Sequence, residues 1–414
     1  MSIKLRLTIM NFLQFFVWGA WLITIGVYWF QNKQWSGAEF GAVFSTLGIS
    51  SLFMPALTGI IADKWMNVER LYGILHILFG CTFLYLPQVT DPHTFFWVIL
   101  LAMFFYMPTI ALSNSIAYTV LKRNKYDIVK VFPSIRVWGT IGFIAAMWIT
   151  NLSGNKALAG QFYLSAVAAI LLGIYSFTLP PCPPTHKKTE KISLAEQFGL
   201  KAFKLFANSK MALFFIFSMF LGGALQLTNM YGDTYLSSFA DQQQFADSII
   251  VKYSTIIMSI SQVSETLFIL AIPYFLKRFG IKQVMLISML AWVLRFALLA
   301  YGDPGAGLWM IVASCIIYGM AFDFFNISGS LFVETNTSSE IRSSAQGMFM
   351  MMTNGFGAIF GSQVSGFVIE KYFTAADGSL QWQEVWLSFA AYSLIIAFFF
   401  SFMFKHKHER AEKY

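Results

Sequence analysis

The sequence predicts an all-α membrane protein of twelve transmembrane helices arranged as two halves of six. Three observations predict it. The composition is 57% hydrophobic, 18% aromatic and only 12% charged over 414 residues, far from that of a soluble globular domain. Apolar runs of about 20 residues, the length that crosses a bilayer as helix, recur near 8–30, 38–61, 71–89, 94–119, 134–152 and 161–180, and again near 211–236, 249–275, 284–301, 308–333, 345–370 and 385–404. Third, the cations are one-sided. Lys4, Arg6, Lys64, Arg70, Lys122, Arg123, Lys130, Lys188, Lys210, Lys277, Arg278, Lys282, Lys405 and Arg410 fall on one side of this pattern, while the opposite loops hold only Lys33, Lys156, Lys252 and Lys371. By the positive-inside rule both termini are cytoplasmic, and the net charge of +8 is a topology signal with no basic, aromatic-interleaved patch for nucleic acid.

Taken in order, the first run is long and is followed by Gln31 to Gly37 without a small-residue cleavage site, so it is expected to stay as the first helix. Its Trp21 and Tyr28 read as interfacial anchors. Gln14 and Trp18 share a face at i, i+4 and either line a cavity or pack. After the second run comes Gly59-Ile-Ile-Ala-Asp63-Lys64-Trp65, and after the eighth Pro273-Tyr-Phe-Leu-Lys277-Arg278-Phe279-Gly280, read as two corresponding cytoplasmic loops. A Gly allows close helix approach, and an acid or base at the membrane surface can pair or cap across a gate. The fifth and eleventh runs echo each other as well: Ile135-Arg136-Val-Trp-Gly139-Thr140-Ile-Gly-Phe143 aligns with Ile341-Arg342-Ser-Ser-Ala345-Gln346-Gly-Met-Phe349. Matches in corresponding places of two six-helix halves indicate an internal duplication. The organisation is therefore a first bundle over 1–180, a cytoplasmic linker over 181–210, a second bundle over 211–404 and a tail over 405–414. In the linker, Ser193 and Glu196 form a capping box opening a short amphipathic helix with Leu194, Phe198 and Leu205 on one side.

Polar residues inside the apolar runs repeat at helical spacing. The fifth helix carries Arg136, Thr140 and Phe143, the seventh Gln226, Asn229 and Asp233, the eighth Gln262, Glu265 and Thr266, and the tenth Tyr318, Phe322, Asp323 and Asn326. Four stripes imply a shared polar cavity. Arg136, close after Pro133, either lines it or reaches the cytoplasmic interface. The amides Gln226 and Asn229 serve a ligand or bond neighbouring helices. Asp233 lies near the outer surface and is expected to be solvated, whereas Arg295 is expected to pair with a carboxylate. Glu265 and Asp323 are deep, with no base on their own helices. A carboxylate there must be protonated, paired or wetted, which suits proton coupling. Amides, hydroxyls and aromatic faces suit a neutral, flat, polar ligand, and a phosphorylated one lacks its cationic cluster. Cys81, Cys182 and Cys315 are scattered and read as packing thiols, and His76, His93, His186, His406 and His408 are dispersed, so neither a metal site nor an enzyme's nucleophile and base is expected.

The stretch Gly59 to Trp65 resembles the loop signature of the major facilitator superfamily. More specifically, Phe12-Leu-Gln-Phe-Phe-Val-Trp-Gly, Gly222-Gly-Ala-Leu-Gln-Leu-Thr-Asn229, Ser259-Ile-Ser-Gln-Val-Ser-Glu265, Ala321-Phe-Asp-Phe-Phe-Asn-Ile-Ser-Gly329 and Ser344-Ala-Gln-Gly-Met-Phe-Met resemble the bacterial nucleoside:proton symporters of that superfamily over nearly the whole chain. The resemblance implies two pseudo-symmetric six-helix bundles, alternating access around a central cavity, and import of nucleosides such as uridine and adenosine with a proton as the coupling ion and no other cofactor. It implies a monomer in the lipid bilayer of the inner membrane. Carried over residue by residue, the substrate contacts are Arg136, Thr140, Phe143, Gln226, Asn229, Gln262, Glu265, Tyr318, Phe322 and Asp323. Glu265 and Asp323 are the proton carriers, and Gly59, Asp63, Lys64, Lys277 and Arg278 belong to the conformational gates. Gly223 departs from the family, where some relatives carry a larger residue, and is expected to loosen packing or alter substrate preference. The alternatives are a sugar or oligosaccharide symporter of the same fold and, more remotely, a nucleoside sensor or membrane enzyme.

Overall fold

A computed structural model describes residues 2–184, 200–338 and 341–406. Helices account for every expected span, and among the described residues the only bridge of strand type joins Thr374 and Leu380. The first six are α1 (Ile3–Gly19), α2 (Gly37–Lys64), α3 (Val68–Tyr85), α4 (Pro92–Arg123), α5 (Ile128–Leu152) and α6 (Gly160–Ser176). The second six are α7 (Ser209–Ser238), α8 and α9 (260–279 and 281–301), α10 (Leu308–Asn336), α11 (Arg342–Met350 continued by Met351–Phe356 and Gly357–Tyr372) and α12 (Trp382–Met403). Short turns at Ile249–Lys252 and Ser254–Met258 precede α8. The chain forms two compact units, one of residues 1–35 and 46–198, the other of 36–45 and 199–414. The opening of the expected linker helix, Ser193 to Phe198, lies outside the described residues, and at its far end, where Leu205 is expected on that helix, Leu200–Ala207 forms 3-10 turns.

Local chemistry sets the helix ends. Asp91 starts α4 by accepting from Thr94 N at 2.8 Å, Asp127 starts α5 from Lys130 N at 3.3 Å, and Asn208 starts α7 from Lys210 N at 3.0 Å. The bonds to Thr94 hold the Asp91 carboxyl below its usual range. This cap is therefore complete above the ordinary Asp value and is lost only as pH falls through the depressed one. The α8–α9 connection is a single residue, Gly280, at φ 77 and ψ 169, a conformation open to glycine. Consequently Lys277 and Arg278 are helical and not in a loop, with Arg278 donating to Tyr274 Oη at 2.9 Å. Gly59, Asp63 and Lys64 likewise form the last turns of α2. A Cβ at Gly59 would meet nothing within 4 Å, so close approach does not explain that glycine.

The first apolar run is broken where sequence pattern reads one helix. After Gly19 the chain turns, resumes at Ile25–Val27 and widens to a π-helix over Tyr28–Lys33. Hydroxyls satisfy the backbone there: Thr150 donates to Ala20 O at 3.0 Å, Ser165 to Val17 O at 2.7 Å, and Thr24 to Trp21 O at 3.3 Å. Such repair is what permits a broken helix away from water. Trp21 and Tyr28 are not interfacial anchors. They are 1% and 2% exposed, with Trp21 edge-on to Phe83 and Tyr28 against Phe162.

Lipid is as apolar as leucine, so helix pairing inside the bilayer depends on close van der Waals fit. Both units use glycine for it. A Cβ on Gly142 of α5 would overlap the Phe12 carbonyl of α1, and one on Gly222 of α7 would overlap the Thr353 carbonyl of α11. Gly223 tightens the same contact, since its Cβ would lie 3.3 Å from Gly361 Cα and 3.1 Å from the Tyr392 hydroxyl. The expectation of looser packing at Gly223 is thus reversed. Cys182, just beyond α6, packs in the first unit's core and donates its N–H to Glu69 at 2.8 Å. Burial, then Glu69, pushes its thiol up to about 12, as befits a packing thiol.

Candidate substrate and proton site

In the first unit, α5 begins at Ile128. Arg136 therefore lies about 12 Å along it, half-buried, with its guanidinium 4.1 Å from the centre of the Phe15 ring. Gly139 leaves room for this stacking, because a Cβ there would meet Phe15 and Arg136 Nη1. Thr140 and Phe143 follow at half-buried positions on the same face. The duplicated stretch in α11 took another course. Arg342 stands at the helix start and pairs with Glu334 at 2.8 Å, Gln346 donates to Ser330 O at 2.8 Å, and Phe349 packs against Phe214. One copy is tied to neighbouring helices through Glu334, Ser330 and Phe214; the other stacks its arginine on Phe15.

Gln14 resolves to packing. It is fully buried, donates to Thr109 Oγ1 at 2.9 Å, accepts from Tyr72 Oη at 2.6 Å and lies 2.9 Å from His76 Nε2.

In the second unit Gly319 sets the geometry. A Cβ there would lie 2.6 Å from the Ser264 carbonyl and 2.7 Å from Glu265 N, so α10 meets α8 backbone to backbone, and Ser264 Oγ donates to the Ile316 carbonyl. One turn along α10, Asp323 is 3% exposed and its Oδ2 has no hydrogen-bond partner among the described residues. The crossing brings Asp323 close enough to the half-buried Glu265 for their charges to interact. The rings of Tyr318 and Phe322 stack at 6.0 Å and 11°, with Trp292 edge-on to Tyr318 at 5.9 Å. Gly319→Ala normally gains helix propensity. Here it forces the two acid-bearing helices apart, so we expect a loss of about 1–3 kcal/mol, visible as a lower melting temperature in detergent.

Two expectations for charged residues change. Asp233 is fully buried, not solvated, and accepts from Thr255 Oγ1 at 3.0 Å. Arg295 is fully buried without a carboxylate partner among the described residues. It donates to Ser314 O at 2.6 Å, lies 3.4 Å from Thr228 and Ser261 hydroxyls, and sits 4.7 Å from the centre of the Tyr318 ring, with Nη2 unbonded.

Amides inside the helices sort the same way. Gln14, Gln161, Asn336 and Gln346 bond protein groups. In contrast, Gln226, Asn229, Asn326 and Asn354 of the second unit and Asn114 of the first make no side-chain hydrogen bond among the described residues, while Gln262 bonds Tyr318. Polar groups at such depth need partners, so these five are groups that water or a ligand can satisfy. Asn114 and Asn354 escaped the sequence reading; Asn114 is the lone amide of its apolar stretch, and Asn354 has no second polar residue at helical spacing that marks it apart from Gln346 and Gln363. Among the described residues no cluster of His, Cys, Asp or Glu could hold a metal.

Twelve membrane helices, aromatic surfaces, unsatisfied amides and buried carboxylates define a secondary transporter. The chain belongs to the nucleoside H+ symporter family, whose model matches residues 1–409. It is 54% identical over 411 residues to the nucleoside permease NupG of Escherichia coli (strain K12), covering 99% of this chain and 98% of that protein. It is 50% identical over 410 residues to the xanthosine permease of the same organism, covering 99% and 97%. The crystal structure of the nucleoside transporter NupG matches with a TM-score of 0.90 at 52% identity over 98% of this chain and all of that one.

Proposed function

We propose that the protein imports nucleosides, uridine and adenosine among them, together with protons across a bacterial inner membrane, as a monomer with both termini cytoplasmic. The observation that carries this reading is Asp323, a buried carboxylate beside Glu265 and one turn from a stacked aromatic pair. A carboxylate in a membrane interior costs about 2.5–3.5 kcal/mol or more when charged, so its protonation is linked to the conformation that exposes it. Tyr318, Phe322 and Phe143 offer ring faces for the base. Arg136, Thr140, Gln226, Asn229 and Gln262 offer donors and acceptors to a neutral polar ligand. Glu265 and Asp323 carry the proton, and the helix ends at Gly59, Asp63, Lys64, Lys277 and Arg278 act in the gating that alternates access. Labelled uridine and adenosine uptake into vesicles tests it. Accumulation should follow an imposed pH gradient, vanish with a protonophore and be displaced by unlabelled nucleosides but not by sugars. Uptake indifferent to the gradient, or displaced by sugars, overturns the reading.

A further inference from the structure

We infer that Asn354 and Asn326 form a specificity pocket for the exocyclic substituent of the nucleobase. This rests on the nucleoside function proposed above. A crevice of about 30 Å³ opens within the second unit between α7, α9, α10 and α11, with Trp292, Phe322 and Phe325 as aromatic walls and Asn326, Thr353 and Asn354 as polar ones. Its shape has a local cause. The π-helical turn Met351–Phe356 in α11 adds a residue to the helical register, and α7 presses on it at Gly222, where any Cβ would overlap the Thr353 carbonyl. Such turns are uncommon, and they re-aim the side chains they carry. Here the turn carries Asn354. Thr353 Oγ1 is already bonded back to Phe349 O at 3.0 Å, which leaves the two amides as the groups free to bind. Neither bonds any side chain or backbone among the described residues.

The volume decides what fits. About 30 Å³ holds one or two water-sized groups, which suits a single oxo or amino group at the edge of a base. Phe322, whose ring stacks on Tyr318, is both a wall of the crevice and the proposed surface for the base. A base lying on that surface directs an edge substituent toward the amides. An amide presents one acceptor and two donors, so the pair accommodates either an oxo or an amino group. This accounts for acceptance of both uridine and adenosine through one pocket. A base lacking the substituent leaves both amides unsatisfied, which is the discriminating cost.

The test compares proton-driven uptake of uridine and adenosine with that of the 2-pyrimidinone riboside, which lacks the 4-oxo group, and of purine riboside, which lacks the 6-amino group. The full-length protein should prefer the substituted members by on the order of tenfold. In Asn354→Leu, which keeps the volume, and in Asn326→Ala, that preference should collapse toward unity, with the unsubstituted ribosides still taken up. Their continued uptake shows that the variants fold. A wild type without the preference, a preference that survives both substitutions, or an equal loss for all four ribosides overturns the assignment. Absence of gradient-driven nucleoside uptake in the wild type is a separate result, which defeats the proposed function and not the pocket alone.

Discussion

Replacing Asp323 by Asn should reduce gradient-driven nucleoside accumulation by roughly ten- to a hundredfold, the range of a coupling free energy between two ligands of one protein. The amide keeps the shape of the side chain but cannot take up or release a proton. Asp323 sits at 3% exposure with Oδ2 unbonded, so nothing in the structure requires its charge for packing, and folding should survive the change. What is lost is the link between proton and conformation. Exchange of labelled for unlabelled nucleoside at equal pH on both sides needs no net proton movement and should persist at a much higher fraction of wild type. Glu265→Gln is the companion measurement. If Glu265 shares the proton, accumulation falls in both variants and in the double variant no further, because groups acting as a unit are not additive. Undiminished accumulation in Asp323→Asn would remove Asp323 from the coupling mechanism.

How much of this was legible in the sequence follows from what hydropathy and spacing measure. Helix number, the stripes on α5, α7, α8 and α10 and the cost of Asp323 are properties of one helix at a time, and each was readable. Among the described residues eight stretches qualify as spans by length and composition, with α8 and α9 counted together; α6, at 17 residues, and the interrupted α1 and α11 fall outside that criterion. The internal repeat supplies them. What stayed hidden depends on neighbours. Trp21 looks like an interfacial residue until Phe83 covers it. Asp233 looks solvated until Thr255 bonds it. The break after Gly19 is invisible because the hydroxyls that repair it, Thr150 and Ser165, come from α5 and α6. Asn354 matters only because a π-turn aims it, and hydropathy does not register a local change of helical pitch.

Arg295→Met should produce the second large effect, and with an unusual pairing of outcomes. The guanidinium is fully buried, its partners are a helix carbonyl, two hydroxyls at 3.4 Å and the face of Tyr318, and among the described residues no carboxylate neutralises it. Removing a buried charge in favour of an apolar side chain of similar volume is often neutral or stabilising by about 1–4 kcal/mol. The melting temperature in detergent should therefore hold or rise. Transport should not. Arg295 lies behind Tyr318 at cation–π distance, an interaction worth about 2 kcal/mol when desolvated, and fixes the ring that stacks on Phe322. Freeing Tyr318 loosens the surface offered to the base, so KM should rise by roughly ten- to thirtyfold with a smaller change in maximal rate. Arg295→Lys restores the charge but not the flat fork that reaches Ser314, Thr228 and Ser261 together, and should recover affinity only in part. A fall in melting temperature that matches the loss of uptake would make Arg295 a packing residue. Retained stability with weakened binding is what a positioning role behind Tyr318 requires.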